Sequence, residues 1–175
     1  LDADSDGDQD LFVVGGGTEY IADALTYRDT LFLNDGKGRF SEGRKVIPTN
    51  TASGASAVCA DFDRDGDLDL FIGGRLVPAA YPVSPVSVLW ENEGGVFTEV
   101  TDTRAPGLSR CGMVTASLFS DVDDDGWTDL ILATEWGPVQ VWLNRQGQFT
   151  NATPQTGTAG LNGLWSSLAG RDIDG

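Results

Sequence analysis

Short apolar runs rich in β-branched and aromatic residues recur along the chain, each placed directly after an acidic loop: 11–14 (Leu-Phe-Val-Val), 70–72 (Leu-Phe-Ile) and 130–133 (Leu-Ile-Leu-Ala). Their length, composition and flanking turn residues predict strands. Around each the same order repeats. A segment of small and apolar residues precedes the loop (56–60, 115–119, 165–169), and a further apolar run follows at 30–33, 86–90 and 139–143. A tight turn of Asn, Asp, Glu and Gly comes next (34–38, 91–95, 144–147), then a segment opening on Phe40, Phe97 or Phe149. Such polar turns between apolar runs predict hairpins. Each period therefore reads as four antiparallel strands, a to d, with the acidic loop joining a to b.

The loops begin at Asp2, Asp61, Asp121 and Asp172, with spacings of 59, 60 and 51 residues. A repeat of this length built of four strands predicts an all-β fold of β-propeller blades. The chain is read as a single propeller segment of about three blades, with repeats near 1–54, 55–113 and 114–163 and the start of a fourth at 164–175. The first blade lacks its strand a, and the chain opens and closes inside a motif, so a longer propeller is expected. A three-blade arc alone would leave two sheet faces uncovered.

The loops carry the chemistry. Asp61, Asp63, Asp65, Asp67 and Asp69 occupy positions 1, 3, 5, 7 and 9, with Gly66 at position 6. A hard divalent cation takes six to eight oxygens, and alternate side chains around a sharp turn supply them. Glycine allows the positive φ that such a turn needs. Positions 1, 3 and 5 are read as side-chain ligands, position 7 as a backbone carbonyl and position 9 as the closing carboxylate. Asp2, Asp4, Asp6, Asp8 and Asp10 repeat the set, as do Asp121, Asp123, Asp125, Trp127 and Asp129, and Asp172 and Asp174 open a fourth copy. About three Ca2+ sites are expected, one per complete loop. An EF-hand would need a bidentate Glu at position 12 and a helix after it. Position 12 here is Val13, Ile72 or Leu132, inside a strand.

The net charge of −16 changes meaning once the loops are set aside. They hold 17 of the 27 acidic residues, and the remaining ten nearly balance eleven Lys and Arg. No clustered basic surface is present for nucleic acid, and no apolar run has the length of a membrane helix. The chain has no histidine, which removes Ser-His-Asp catalysis and histidine-ligated zinc. Cys59 and Cys111 are read either as one disulfide or as two buried thiols.

The Asp-x-Asp-x-Asp-Gly-x-x-Asp loop followed by Leu-Phe-Ile-Gly-Gly resembles FG-GAP or VCBS-type repeats, the calcium-binding blades of the integrin alpha-chain propeller and of many secreted bacterial proteins. Three further stretches are similar to bacterial ASPIC/UnbV and cartilage-acidic-protein-like surface proteins. These are Gly73-Gly74-Arg75-Leu76-Val77-Pro78 with Tyr81-Pro82, Gly112-Met113-Val114-Thr115, and Asp125-Gly126-Trp127-Thr128-Asp129-Leu130 with Glu135-Trp136. The resemblance covers essentially the whole chain. It implies an extracellular or cell-surface propeller, usually of about seven blades, that acts in binding rather than catalysis. Gly137 departs from it, standing where a bulkier residue is expected.

Strand alternation puts the a–b loops and c–d turns on one face and the long b–c and d–a segments on the other. Long loops on a rigid scaffold are where binding concentrates. The ligand-face candidates are Tyr20, Tyr27, Arg75, Tyr81, Arg110, Glu135 and Trp136, with Arg28 and Arg104 in the same segments. Aromatics with arginines suit a protein or glycan partner. The leading expectation is a calcium-stabilised extracellular binding or adhesion module, not an enzyme, with no nucleic acid and no membrane insertion. The remaining blades would be its other partner. The alternatives are a carbohydrate-active, polysaccharide-lyase-like propeller or a structural spacer of a large surface protein. An enzyme would draw its acid and base from Glu19, Asp23, Asp29, Asp102, Glu135, Tyr20 or Tyr81, none of which forms a recognisable pair in the sequence.

Overall fold

The computed structural model describes residues 1–21, 24–43 and 46–170. Its strands fall into three antiparallel sheets that follow the predicted periods. The first holds β1 (Leu11–Val13), β2 (Thr30–Asn34) and β3 (Phe40–Glu42). The second runs β4 (Ser53–Ala60), β5 (Asp69–Leu76), β6 (Val88–Glu93) and β7 (Val96–Glu99) in sequence order. The third holds β8 (Met113–Ser120), β9 (Asp129–Gly137), β10 (Gln140–Arg145) and β11 (Gln148–Asn151), paired in the same order, with β12 (Gly163–Leu164) added at the far end of β9. The second and third sheets are complete blades with strands a to d, and the first shows strands b to d.

The period-2 alternation of β5 explains how the blades stack. Leu70 and Ile72 face a cluster containing Ala3, Leu31, Trp90 and Phe97, between the first and second sheets. Phe71 faces the opposite way, into a cluster with Phe62, Val114, Leu130, Leu132 and Phe149, between the second and third. A strand covered on both faces must be apolar throughout, which is why these runs read as continuous rather than alternating. Each fully buried Leu, Ile or Phe contributes about 1.5–3 kcal/mol. Gly73 lets the sheets approach: a Cβ there would lie 2.5 Å from a methyl of Val114.

The first blade is less covered. Leu11 and Val13 are exposed, because no strand a stands inside β1 among the described residues. The same gap bares Cys59 on β4. Cys59 and Cys111 are both free thiols, the first exposed and the second buried, so there is no disulfide and only one of the two is sequestered.

Residues 165–169, expected as the strand a of a fourth blade, are not a strand. The strand they should pair with would follow the fourth acidic loop, whose Asp172 and Asp174 lie outside the described residues. Instead, Trp165 donates its indole N–H to the carbonyls of Gly137 (3.1 Å) and Leu161 (3.2 Å). This also accounts for Gly137. It pairs with Gly163, and a Cβ there would sit 2.5 Å from the Thr134 hydroxyl oxygen. After β7 the chain forms a one-turn helix, α1 (Thr101–Arg104), which turns Arg104 back beside the acidic loops rather than onto the opposite face.

Candidate metal centres and a groove on the opposite face

Three loops share one geometry. Position 4 is left-handed in each, with φ of 59° at Ser5, 67° at Arg64 and 58° at Asp124, and glycine follows at position 6 with φ of 92°, 102° and 87°. These two turns double the chain back. The position-1 carboxylate then accepts the glycine N–H, at 3.0 Å for Asp2, 3.1 Å for Asp61 and 2.8 Å for Asp121. The position-5 carboxylate accepts the N–H of position 7, at 2.9, 2.9 and 2.8 Å for Asp6, Asp65 and Asp125.

Position 9 anchors the loop. Asp69 is buried at the start of β5, where Oδ2 accepts the Phe62 N–H (3.0 Å) and Oδ1 that of Asn92 (2.9 Å). Asp10 takes Ala3 and Asn34, and Asp129 takes Val122 and Asn144, all at 2.8–2.9 Å. Asp67 at position 7 spends its side chain elsewhere. It accepts from Gly94 N–H (2.7 Å) and Ser5 hydroxyl (2.9 Å), bonds that hold its carboxyl below the usual range. The position can therefore be filled by Trp127 in the third loop without changing what its main chain offers.

The folding brings carboxylate oxygens together. One oxygen each of Asp2, Asp4 and Asp6 lie within 4.8 Å of one another, as do those of Asp61, Asp63 and Asp69, and of Asp121, Asp123 and Asp129. Crowding and burial disfavour the ionised forms. Burial first, then neighbouring aspartates, pushes Asp4 up; burial, with the same repulsion, does so for Asp63 and Asp129 and carries Asp69 up to about 7. One buried oxygen, Asp2 Oδ1, has no hydrogen-bond partner. An oxygen-only, carboxylate-rich set with an unsatisfied acceptor suits a hard divalent cation such as Ca2+ or Mg2+ and not zinc or copper.

The loops also join the blades. Asn92, at the end of β6, donates to the carbonyl of Ala3 in the loop of the preceding blade (3.0 Å), and Asn144 donates to that of Phe62 (2.8 Å). Position 4 of one loop reaches position 7 of the next: Ser5 bonds Asp67, and the Arg64 guanidinium stacks 4.0 Å over Trp127 while donating to the Gly126 carbonyl. In the sequence these asparagines were visible only as turn residues, since their partners lie 82 to 89 positions away.

On the opposite face, four of the seven ligand-face candidates meet. Arg75, at the end of β5, pairs with Glu135, at the end of β9. Tyr81 donates its hydroxyl proton to Glu135 (2.8 Å), and the Trp136 indole N–H donates to the Tyr81 hydroxyl oxygen. The tyrosine bond, followed by the Arg75 charge, keeps Glu135 below its usual pKa. Trp136 is 61% exposed and holds φ at 64°, a conformation rare for a bulky residue. Beside it runs a groove of about 490 Å3 walled by Tyr81, Pro82, Met113, Trp136 and Pro138. Arg110 borders an adjoining depression that shares Cys111, Pro138 and Gln140 with this groove.

Tyr27 does not belong to this surface. It is buried, and its hydroxyl accepts the Tyr20 N–H (2.8 Å) and donates to the Tyr20 carbonyl (3.1 Å); Tyr20 itself is exposed and does not line the groove. Asp29 is equally internal, accepting from Gly15 N–H (2.8 Å) and the Asn50 amide (2.7 Å). Asp23 lies outside the described residues.

Among the described residues no helix is long and apolar enough to cross a membrane. No curated protein matches the chain. The sequence model of the FG-GAP-like repeat does match, over residues 2–72 and 121–175. Those spans take in all three complete acidic loops and the apolar runs that directly follow them, and on that ground the chain belongs to the FG-GAP-like repeat family.

Proposed function

We propose that this propeller segment is a calcium-stabilised extracellular module that works by binding, presenting the face opposite its acidic loops to a protein or glycan. The observation that carries the reading is the interlocked set of Arg75, Glu135, Tyr81 and Trp136, gathered from two blades around one groove. The internal hydrogen bonds fix the aromatic rings in place before any ligand arrives, and a preorganised site loses less on binding. The Arg75–Glu135 pair cancels its own charge, so ring faces and apolar walls dominate what the groove offers.

The loops serve the scaffold. A cation at each would offset the repulsion among its carboxylates and satisfy Asp2 Oδ1. Binding to the folded state alone stabilises by RT ln(1 + [Ca]/Kd), about 2.7 kcal/mol per site at a hundredfold excess. Millimolar calcium outside cells suits weak sites of about 10⁻⁴–10⁻³ M.

The test has two arms. Calorimetric titration of the chelated chain with calcium, alongside its melting temperature, is expected to show saturable binding and a rise in melting temperature. Screening against glycan and extracellular-protein arrays is expected to yield a ligand whose binding drops at least tenfold in Trp136→Ala while calcium stabilisation stays. Calcium binding without stabilisation would overturn the structural role of the ion. A ligand indifferent to Trp136 and Tyr81 would overturn the groove.

A further inference from the structure

The three loops differ in the positive charge the protein brings to them. Among the described residues no ion pair reaches the carboxylates of the first loop. In the second, Arg104 comes within 3.6 Å of Asp63, but its two close bonds, at 2.9 and 2.7 Å, both go to Glu91. In the third, Arg145 bridges two ligand positions at once: one nitrogen bonds Asp123 and the other lies 2.7 Å from Asp125.

The placement of Arg145 follows from the blade frame. It comes directly after Asn144, whose N–H is fixed by Asp129 and whose side chain is tied to Phe62 and Thr128. The guanidinium also donates to the Asn144 carbonyl (2.8 Å), so its base is fixed where it overlooks the loop. At the same register the first blade carries Asp35 and the second Glu93. Where two blades carry an acid at this register, the third reverses the sign.

We infer that Arg145 is a built-in counter-ion of the third loop, holding Asp123 and Asp125 together without a divalent cation and making this loop the weakest of the three for calcium. The first half of this inference stands on the ion pairs alone, and the second rests on the calcium reading above. A planar guanidinium matches two carboxylate oxygens through separate N–H donors, which a lysine ammonium cannot reproduce. A calcium ion held by this loop would compete with Arg145 for Asp123 and Asp125 and would lie beside a positive charge. At contact range in a solvated site that repulsion lowers affinity on the order of tenfold, and salt screens it.

Trp127, at position 7 of this loop, supplies a local reporter, because an indole beside a bound terbium ion sensitises its emission. The experiment uses the whole chain as wild type, Arg145→Gln and Arg145→Lys, with Trp127→Phe to define the signal from the third loop. Terbium titration and calcium competition are read at low and high salt, and melting is followed in chelator. Arg145→Gln is expected to tighten the Trp127-reported site about tenfold at low salt, with the gain shrinking at high salt, and to lower the melting temperature in chelator. Arg145→Lys should fall between the two. Unchanged affinity at that site would overturn the calcium half, and an unchanged chelated melting temperature would overturn the counter-ion. If the wild type takes neither calcium nor terbium at any loop, the calcium reading itself fails, while the chelated melting comparison still decides the role of Arg145.

Discussion

An aspartate reads the same in a sequence whether it awaits an ion or holds two strands together. Spacing alone reads the ninth-position aspartates as ligands, and in the structure both oxygens of Asp69 accept main-chain N–H groups, one of them from Asn92 across the blade. That anchoring could not be seen because its donors are backbone atoms brought near only by folding. Asp29 gives the opposite lesson. As an acid–base candidate it looked chemical, but it is 1% exposed and bonded to Gly15 and Asn50, so it closes the base of a loop. Burial pushes its pKa up to about 6, against the pull of those two bonds. A carboxyl with a higher pKa folded than unfolded favours folding in its protonated form. Its contribution is complete below the unfolded value of 3.8 and is lost as pH rises through about 6. Chelated stability compared between wild type and Asp29→Asn should therefore diverge across that window, with the wild type losing more as pH rises. Parallel profiles would show that Asp29 does not titrate there.

At the scale of elements, the strands were readable because an apolar run after an acidic loop leaves little choice, and the d strands because an aromatic stands at the first or second position of each. What escaped was anything set by a neighbour. Phe97 and Phe149 are buried against the preceding blade, whereas Phe40 is half exposed, though all three look alike in the sequence. Position 2 of each loop behaves likewise. Phe62 is fully buried with its ring 5.5 Å from Phe149, Ala3 is buried, and Val122 is 48% exposed. Phe62→Ala is expected to destabilise the chain by about 3–5 kcal/mol, through lost burial and the cavity left between blades. Val122→Ala should fall within about 0.5 kcal/mol. Denaturant titration of the two variants checks this, and similar losses would mean that the wedge between blades contributes little.

For the whole molecule, the order of the blades sets the order of protection. β5 is buried from Asp69 to Gly74 and covered by a sheet on each side, while β1 is three residues long with exposed Leu11 and Val13. Amide hydrogen exchange should be slowest in β5 and fastest in β1, since local opening follows the contacts that must be broken. Comparable rates would mean that the sheets open as one cooperative unit. The two faces were separable from connectivity alone. Which long-loop residues converge on the groove was not, because Tyr81 and Trp136 are 55 positions apart and meet only when two blades stack.

The bond from Asn92 to Ala3, repeated from Asn144 to Phe62, runs in both cases from one blade's hairpin to the previous blade's loop. Contacts of this kind are heterologous: each blade presents a plug on one side and a socket on the other, and the plug of one fits the socket of the next. A chain of such units closes into a ring when its successive rotations sum to a full turn. In a closed ring the angle between neighbouring sheets would govern how many blades fit, and the residue wedged at that junction, Phe62 between one pair of sheets and Ala3 between the other, is placed to tune it. Exchanging the size of that one residue is a change in curvature as much as in stability.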